Sequence, residues 1–139
     1  MKNLALALAI TLILAACSSG STVAPQAISL NGVFTGTFVN TEESQEGTAT
    51  LNLTQASGSD IVGGNAIFDT SSSRGNSCLV NGLVAGTNSG ASAALMIGGA
   101  NLQLAISDNG NTLSGTYVLT ETSDECSSES GAGTITLSR

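Results

Sequence analysis

The sequence predicts an all-β domain, a single eight-stranded antiparallel up-and-down β-barrel with a two-sheet β-sandwich as the alternative fold, on the strength of three observations. From residue 32 onward apolar residues alternate at a period of two with Thr, Ser and Asn. The alternating runs are short and are split by Gly, Asn and Asp, the residues that accept turn conformations most readily. No later segment sustains helical spacing of apolar residues between capping residues.

The first strand, 32–40, sets Phe34, Gly36 and Phe38 on one face. In the second, 48–56, Ala49, Leu51 and Leu53 lie opposite Thr48, Thr50, Asn52 and Thr54. The third, 61–68, the fourth, 78–87, and the fifth, 91–97, follow between turn residues. The sixth, 101–107, places Leu102, Leu104 and Ile106 inward against outward Asn101, Gln103 and Ser107, and Asp108-Asn109-Gly110-Asn111 then reads as a tight hairpin turn. Leu113, Gly115, Tyr117 and Leu119 face inward in the seventh strand, 112–122, as do Ile135 and Leu137 in the eighth, 133–138. Glycines at 36, 64, 82 and 115 permit the coiling that a small barrel needs, and full closure removes open edges. A membrane-spanning barrel would show apolar outward rows and aromatic girdles. The outward rows here read as Thr, Ser and Asn, with three Phe and one Tyr in the whole chain.

An internal repeat joins the two ends of the domain. Gly36-Thr37-Phe38-Val39-Asn40-Thr41-Glu42 matches Gly115-Thr116-Tyr117-Val118-Leu119-Thr120-Glu121, and Gly47-Thr48-Ala49-Thr50-Leu51 matches Gly133-Thr134-Ile135-Thr136-Leu137 in the same order. One hairpin used twice accounts for both matches, and in a closed meander the two copies become neighbours.

Ahead of the strands, Met1-Lys2 supplies a positive start and residues 3–16 form an uncharged apolar run, too short to span a bilayer. Leu14-Ala15-Ala16-Cys17 closes that run with two small residues before a cysteine. The pattern resembles the lipobox of bacterial lipoproteins, which implies cleavage before Cys17 and a lipid anchor on that thiol. Ser18 after the cysteine favours, by the same resemblance, the outer membrane of the cell envelope. Residues 1–16 then form the signal peptide, 17–31 the lipidated N-terminus and flexible tether, and 32–139 the barrel. By strand count and size the barrel resembles the calycin and lipocalin type, although the lipocalin Gly-x-Trp pattern is absent from a chain without tryptophan.

After residue 16 only Arg74 and Arg139 face ten acidic side chains. That balance excludes nucleic acid, whose binding needs Lys and Arg at the phosphates, and leaves the acyl chains to hold the membrane. With Cys17 lipidated, Cys78 and Cys126 remain as an even pair in an oxidising compartment and are expected to form a disulfide. With no histidine in the chain and no lysine after residue 2, the usual general bases are missing, so the domain reads as non-enzymatic.

Alternating up and down hairpins gather the loops 41–47, 69–77, 98–100 and 123–132 at one end of the barrel. Long loops on a rigid scaffold are where binding residues concentrate. The candidate surface is Glu42, Glu43, Glu46, Arg74, Asp124, Glu125 and Glu129, suited to a basic envelope or secreted protein or to a weakly held cation, with no metal or cofactor site of defined spacing. The leading expectation is a membrane-anchored envelope lipoprotein whose acidic loop end binds a protein, one form being an inhibitor, by fold-level analogy with small barrel lipoproteins that inhibit lysozyme. The alternatives are a small apolar ligand inside the barrel, where Gly36, Gly64, Ala49 and Ala66 would leave room, and a purely structural envelope component.

Overall fold

Alternation of period two becomes eight strands in the computed structural model, which describes residues 28–41, 46–69, 79–120 and 131–139. They are β1 (Gly32–Asn40), β2 (Glu46–Gln55), β3 (Ile61–Asp69), β4 (Gly82–Asn88), β5 (Ser92–Ile97), β6 (Ala100–Ser107), β7 (Thr112–Leu119) and β8 (Ala132–Ser138). Each strand pairs antiparallel with the next and β8 pairs back onto β1, so the sheet is a closed barrel and not a sandwich. The bounds of β1 coincide with those read from the sequence.

The other strands shift by one or two residues at their ends, and two of them, β4 and β7, by more. β4 starts at Gly82, four residues later than expected, because the Asn81 side chain intervenes: its Oδ1 accepts the Phe68 N–H at 2.6 Å, where a ladder carbonyl would otherwise stand. β7 stops at Leu119, three residues earlier than expected, and Thr120 adds one last step to its pairing with the β6 side, donating both its N–H, at 2.6 Å, and its hydroxyl, at 2.7 Å, to the Gly99 carbonyl.

The inward rows meet in one apolar cluster running the length of the barrel, from Leu30, Phe34, Leu53 and Leu113 through Leu51, Leu104 and Leu137 to Phe38, Ile97 and Leu119. Ile106 packs against that cluster while remaining partly exposed. Curvature comes from glycines at inward positions. A Cβ on Gly36, Gly64, Gly86 or Gly115 would overlap the carbonyl oxygen of Thr136, Asn52, Ala94 or Gln103, so at each place the neighbouring backbone takes the volume of a side chain. The room expected at Gly36 and Gly64 is therefore absent, and Ala49 and Ala66 are packed within the cluster. Gly82 is not one of these positions: a Cβ there would meet its nearest neighbour, Gly98, at an ordinary 3.5 Å. Gly86, which the sequence did not single out, serves instead.

The repeat is structural as well as sequential. Gly36 pairs with Ala49 and Phe38 with Gly47 across β1 and β2, while Gly115 pairs with Ile135 and Tyr117 with Gly133 across β7 and β8, which is the same register. In both hairpins the aromatic ring covers its glycine partner so closely that a Cβ would strike the ring. The equivalent threonines act alike too: Thr41 gives its N–H and its hydroxyl to the Ala132 carbonyl at 3.1 and 3.0 Å, as Thr120 does to Gly99. Pairing of β1 with β8 makes the two copies neighbours.

The short-turn end is sealed by the chain that leads into β1. Leu30 is 0 % exposed although the sequence grouped it with the tether. Its N–H donates to Gln55 Oε1 at 2.9 Å, and Asn88 Nδ2 donates to the same oxygen at 3.1 Å and to the Ile28 carbonyl. Asn31 closes the other side, with Oδ1 accepting from Gln55 N at 2.6 Å and Nδ2 donating to Gln55 O at 2.8 Å. Gln55 and Asn88 are thus buried polar residues that exchange hydrogen bonds with the segment they hold, which is what their burial requires. Arg139 completes the seal: its Nη1 donates to Asn31 O at 2.6 Å, its Nε to Asn111 Oδ1 at 3.1 Å, and its guanidinium lies 5.2 Å from the Phe34 ring centroid. Between β6 and β7 the expected turn is present, with Asp108, Asn109 and Gly110 all at positive φ.

Candidate interaction surfaces

Odd-numbered strands run toward one end, so the β1–β2, β3–β4, β5–β6 and β7–β8 connections leave the barrel together, opposite the seal. Glu46 is the first residue of β2 at this end and is exposed, opposite Val39 of β1. Glu42, Glu43, Arg74, Asp124, Glu125 and Glu129 lie outside the described residues, as do Cys17, Cys78 and Cys126. Of the expected rim, the structure therefore places Glu46 and the strand ends from which the loops depart: Thr41, Asp69, Leu79, Thr120 and Gly131. No group of three potential metal ligands forms among the described residues.

Beneath the loops lies an aromatic floor that the sequence reading did not identify. Phe38 meets Phe68 edge to face at 5.8 Å and Tyr117 at 6.2 Å between ring centroids. These rings come from three strands that all rise to the loop end, and the glycines at 47 and 133 make space for two of them. Burial pushes the Tyr117 phenol up to about 12, so it is a neutral group at physiological pH. The signal in the sequence was the aromatic-to-glycine pairing inside each hairpin repeat.

The outer wall is not uniformly polar. Across β7, β8, β1 and β2 most outward residues follow expectation, with Ser114, Thr136, Thr37 and Thr48 side by side, although Val33 on β1 and Val118 on β7 are exposed among them. On β3, β4 and β5 they do not: Leu83 is 81 % exposed, Met96 58 % and Ile67 51 %. Leu83 lies opposite Asn65, with Ile67 on the diagonal, and Ala85 lies opposite Met96. Beside them is a shallow depression of about 180 Å³ lined by Ala85, Gly86, Ala94, Leu95, Met96, Asn101 and Gln103. The expectation of Thr, Ser and Asn rows all round is corrected here. Leu83-Val84-Ala85 and Ala93 to Ile97 are apolar on both faces, so alternation could not reveal which residues face out.

No family model, no curated protein and no solved structure matches this chain.

Proposed function

We propose that the protein is a non-enzymatic lipoprotein of the bacterial envelope, anchored through Cys17, that offers its acidic loop end to a basic protein partner. The observation that carries this reading is the separation of the barrel's two ends. The chain enters through Ile28 and Leu30 at the sealed end, and the loops that hold most of the acidic residues leave from the other. An anchor attached upstream of Ile28 therefore leaves the loops unobstructed. The scaffold is suited to presentation: it is closed, has no free strand edge among its eight strands, and is packed by an aromatic cluster near the strand ends from which the loops depart. The outer membrane is the proposed address, and a disulfide between Cys78 and Cys126 the proposed tie between two of the loops.

An apolar ligand inside the barrel has less support, because backbone carbonyls fill the spaces at the inward glycines and the inward side chains form one cluster. At Gly115, too, an added side chain would meet the Gln103 carbonyl and not an open cavity. A purely structural envelope role shares the anchor and lacks the partner.

The test is chemical cross-linking in intact envelopes at low salt. The unaltered chain should fractionate with membranes, carry acyl mass on Cys17 and give a cross-linked heterocomplex, and Cys17→Ser should release it into the soluble fraction. Reversing Glu42, Glu43 and Glu46 to lysine should remove the heterocomplex and leave the membrane fractionation as it was. A heterocomplex that survives the three reversals rejects the acidic rim as the contact.

A further inference from the structure

Aliphatic side chains held in water in adjacent positions mark a contact surface on a small barrel. Leu83, Ala85, Thr87, Ser92, Ala94 and Met96, the outward residues of β4 and β5, carry no charge in a chain of formal net charge −7. The same side of the barrel holds Ile28. The Ile28 carbonyl accepts from Asn88, the last residue of β4, and a Cβ added to Gly110, between β6 and β7, would overlap Ile28 Cγ2. From Leu30 at Gln55 back to Ile28, the segment crosses the sealed end from the β2 side toward β4 and the β6–β7 turn. Ile28 thus stands at the foot of β4, across the ring from β8. Residues 18–27 reach at most roughly 35 Å, and a strand the length of β4 rises roughly 23 Å, so a membrane anchor at Cys17 holds the whole wall within reach of the bilayer.

We propose that the β3 to β5 wall lies against the lipid surface, with Leu83 and Met96 as the side chains that enter it. The inference rests on the anchored reading and adds an orientation to it: the barrel lies along the membrane, its hydroxyl rows face away, and its loop end opens to the side. Because the outward faces of β4 and β5 are uncharged, the one charge on the wall is that of Asp69 at the loop end of β3, and the chain is acidic, the contact is made by aliphatic burial and needs no anionic headgroup.

The chain has no tryptophan, so a single introduced one reports its own surroundings. Full-length acylated Leu83→Trp and Thr136→Trp, the latter on the wall opposite β4, are each reconstituted into phosphatidylcholine vesicles with brominated acyl chains. Leu83→Trp should be quenched at least about two-fold more than Thr136→Trp, and equally so in high salt. Equal quenching of the two in an acylated chain overturns the wall while leaving the anchor standing. A chain without acyl mass on Cys17 overturns the anchor and the wall with it. A Leu83→Trp spectral shift that follows protein density and ignores bromine would assign the face to a second copy and overturn the lipid contact.

Discussion

On the side built from β7, β8, β1 and β2 the outward positions are mostly Thr and Ser, with Val33 and Val118 set apart on β1 and β7, whereas on the side built from β3, β4 and β5 they include Ile67, Leu83 and Met96 in neighbouring positions. Inside, the two sides are constructed alike: Gly36 and Gly115 serve the first and Gly64 and Gly86 the second, each taking a neighbouring carbonyl where a side chain would be. Closure therefore dictates the inner surface and leaves the outer one free. Threonine rows suffice for a stable sheet, since β-branched residues suit strands and cross-strand Thr pairs each add a few tenths of a kcal/mol. The fold does not call for the aliphatic wall, so its composition points to a contact.

The comparison is tested most severely from within. Gly115→Ala and Gly86→Ala should each lower stability by about 3 kcal/mol or more, because a Cβ has to displace a strand that is already hydrogen-bonded. Chemical denaturation of the two variants checks whether the cost is the same on both sides. A tolerated Gly86→Ala beside a damaging Gly115→Ala would show that the sides are built differently after all. A smaller effect is expected at the brace that joins them. Asn88→Ala removes the donors that hold the Ile28 carbonyl and Gln55 Oε1, and should cost about 1–3 kcal/mol. Hydrogen exchange should locate that loss at the Leu30 amide, with the strand amides still protected; uniform loss of protection would mean that the segment is part of the global core. Least is expected of repainting the exterior: Leu83→Thr with Met96→Thr should alter stability by no more than about 0.5 kcal/mol. A large fall in the melting temperature would show that the aliphatic wall does belong to the fold.

Much of the fold was legible because one kind of information, period-two alternation, specifies both strand and face. Leu51, Leu104 and Ile135 could be assigned inward from their Thr, Asn and Gln neighbours, and the hairpin repeat foretold that β1 and β8 would meet. Gly86 was missed and Gly82 overrated since both have the same parity on β4, and only the register with β5 decides which one meets a carbonyl. Leu30 was missed because the side chains that hold its segment, Gln55 at Leu30 and Asn88 at Ile28, come from the distant ends of β2 and β4. Of the acidic surface, composition and loop spacing indicated the end of the barrel, which the strand topology places; among its candidate residues Glu46 alone is described.

The β1–β8 seam has a kinetic consequence. Every other neighbouring pair of strands is a hairpin, which can zip as soon as its two strands exist, with little loop entropy to overcome. The seam joins Thr35 to Ser138, and no local turn assists it. The ring is thus expected to form as an open ribbon whose two end hairpins carry the same Gly-Thr-aromatic motif, and to become a barrel in one late step. Until then each ribbon has two matched edges, and an edge offered by another molecule fits as well as its own. Vectorial emergence, one chain at a time, keeps that encounter within the molecule.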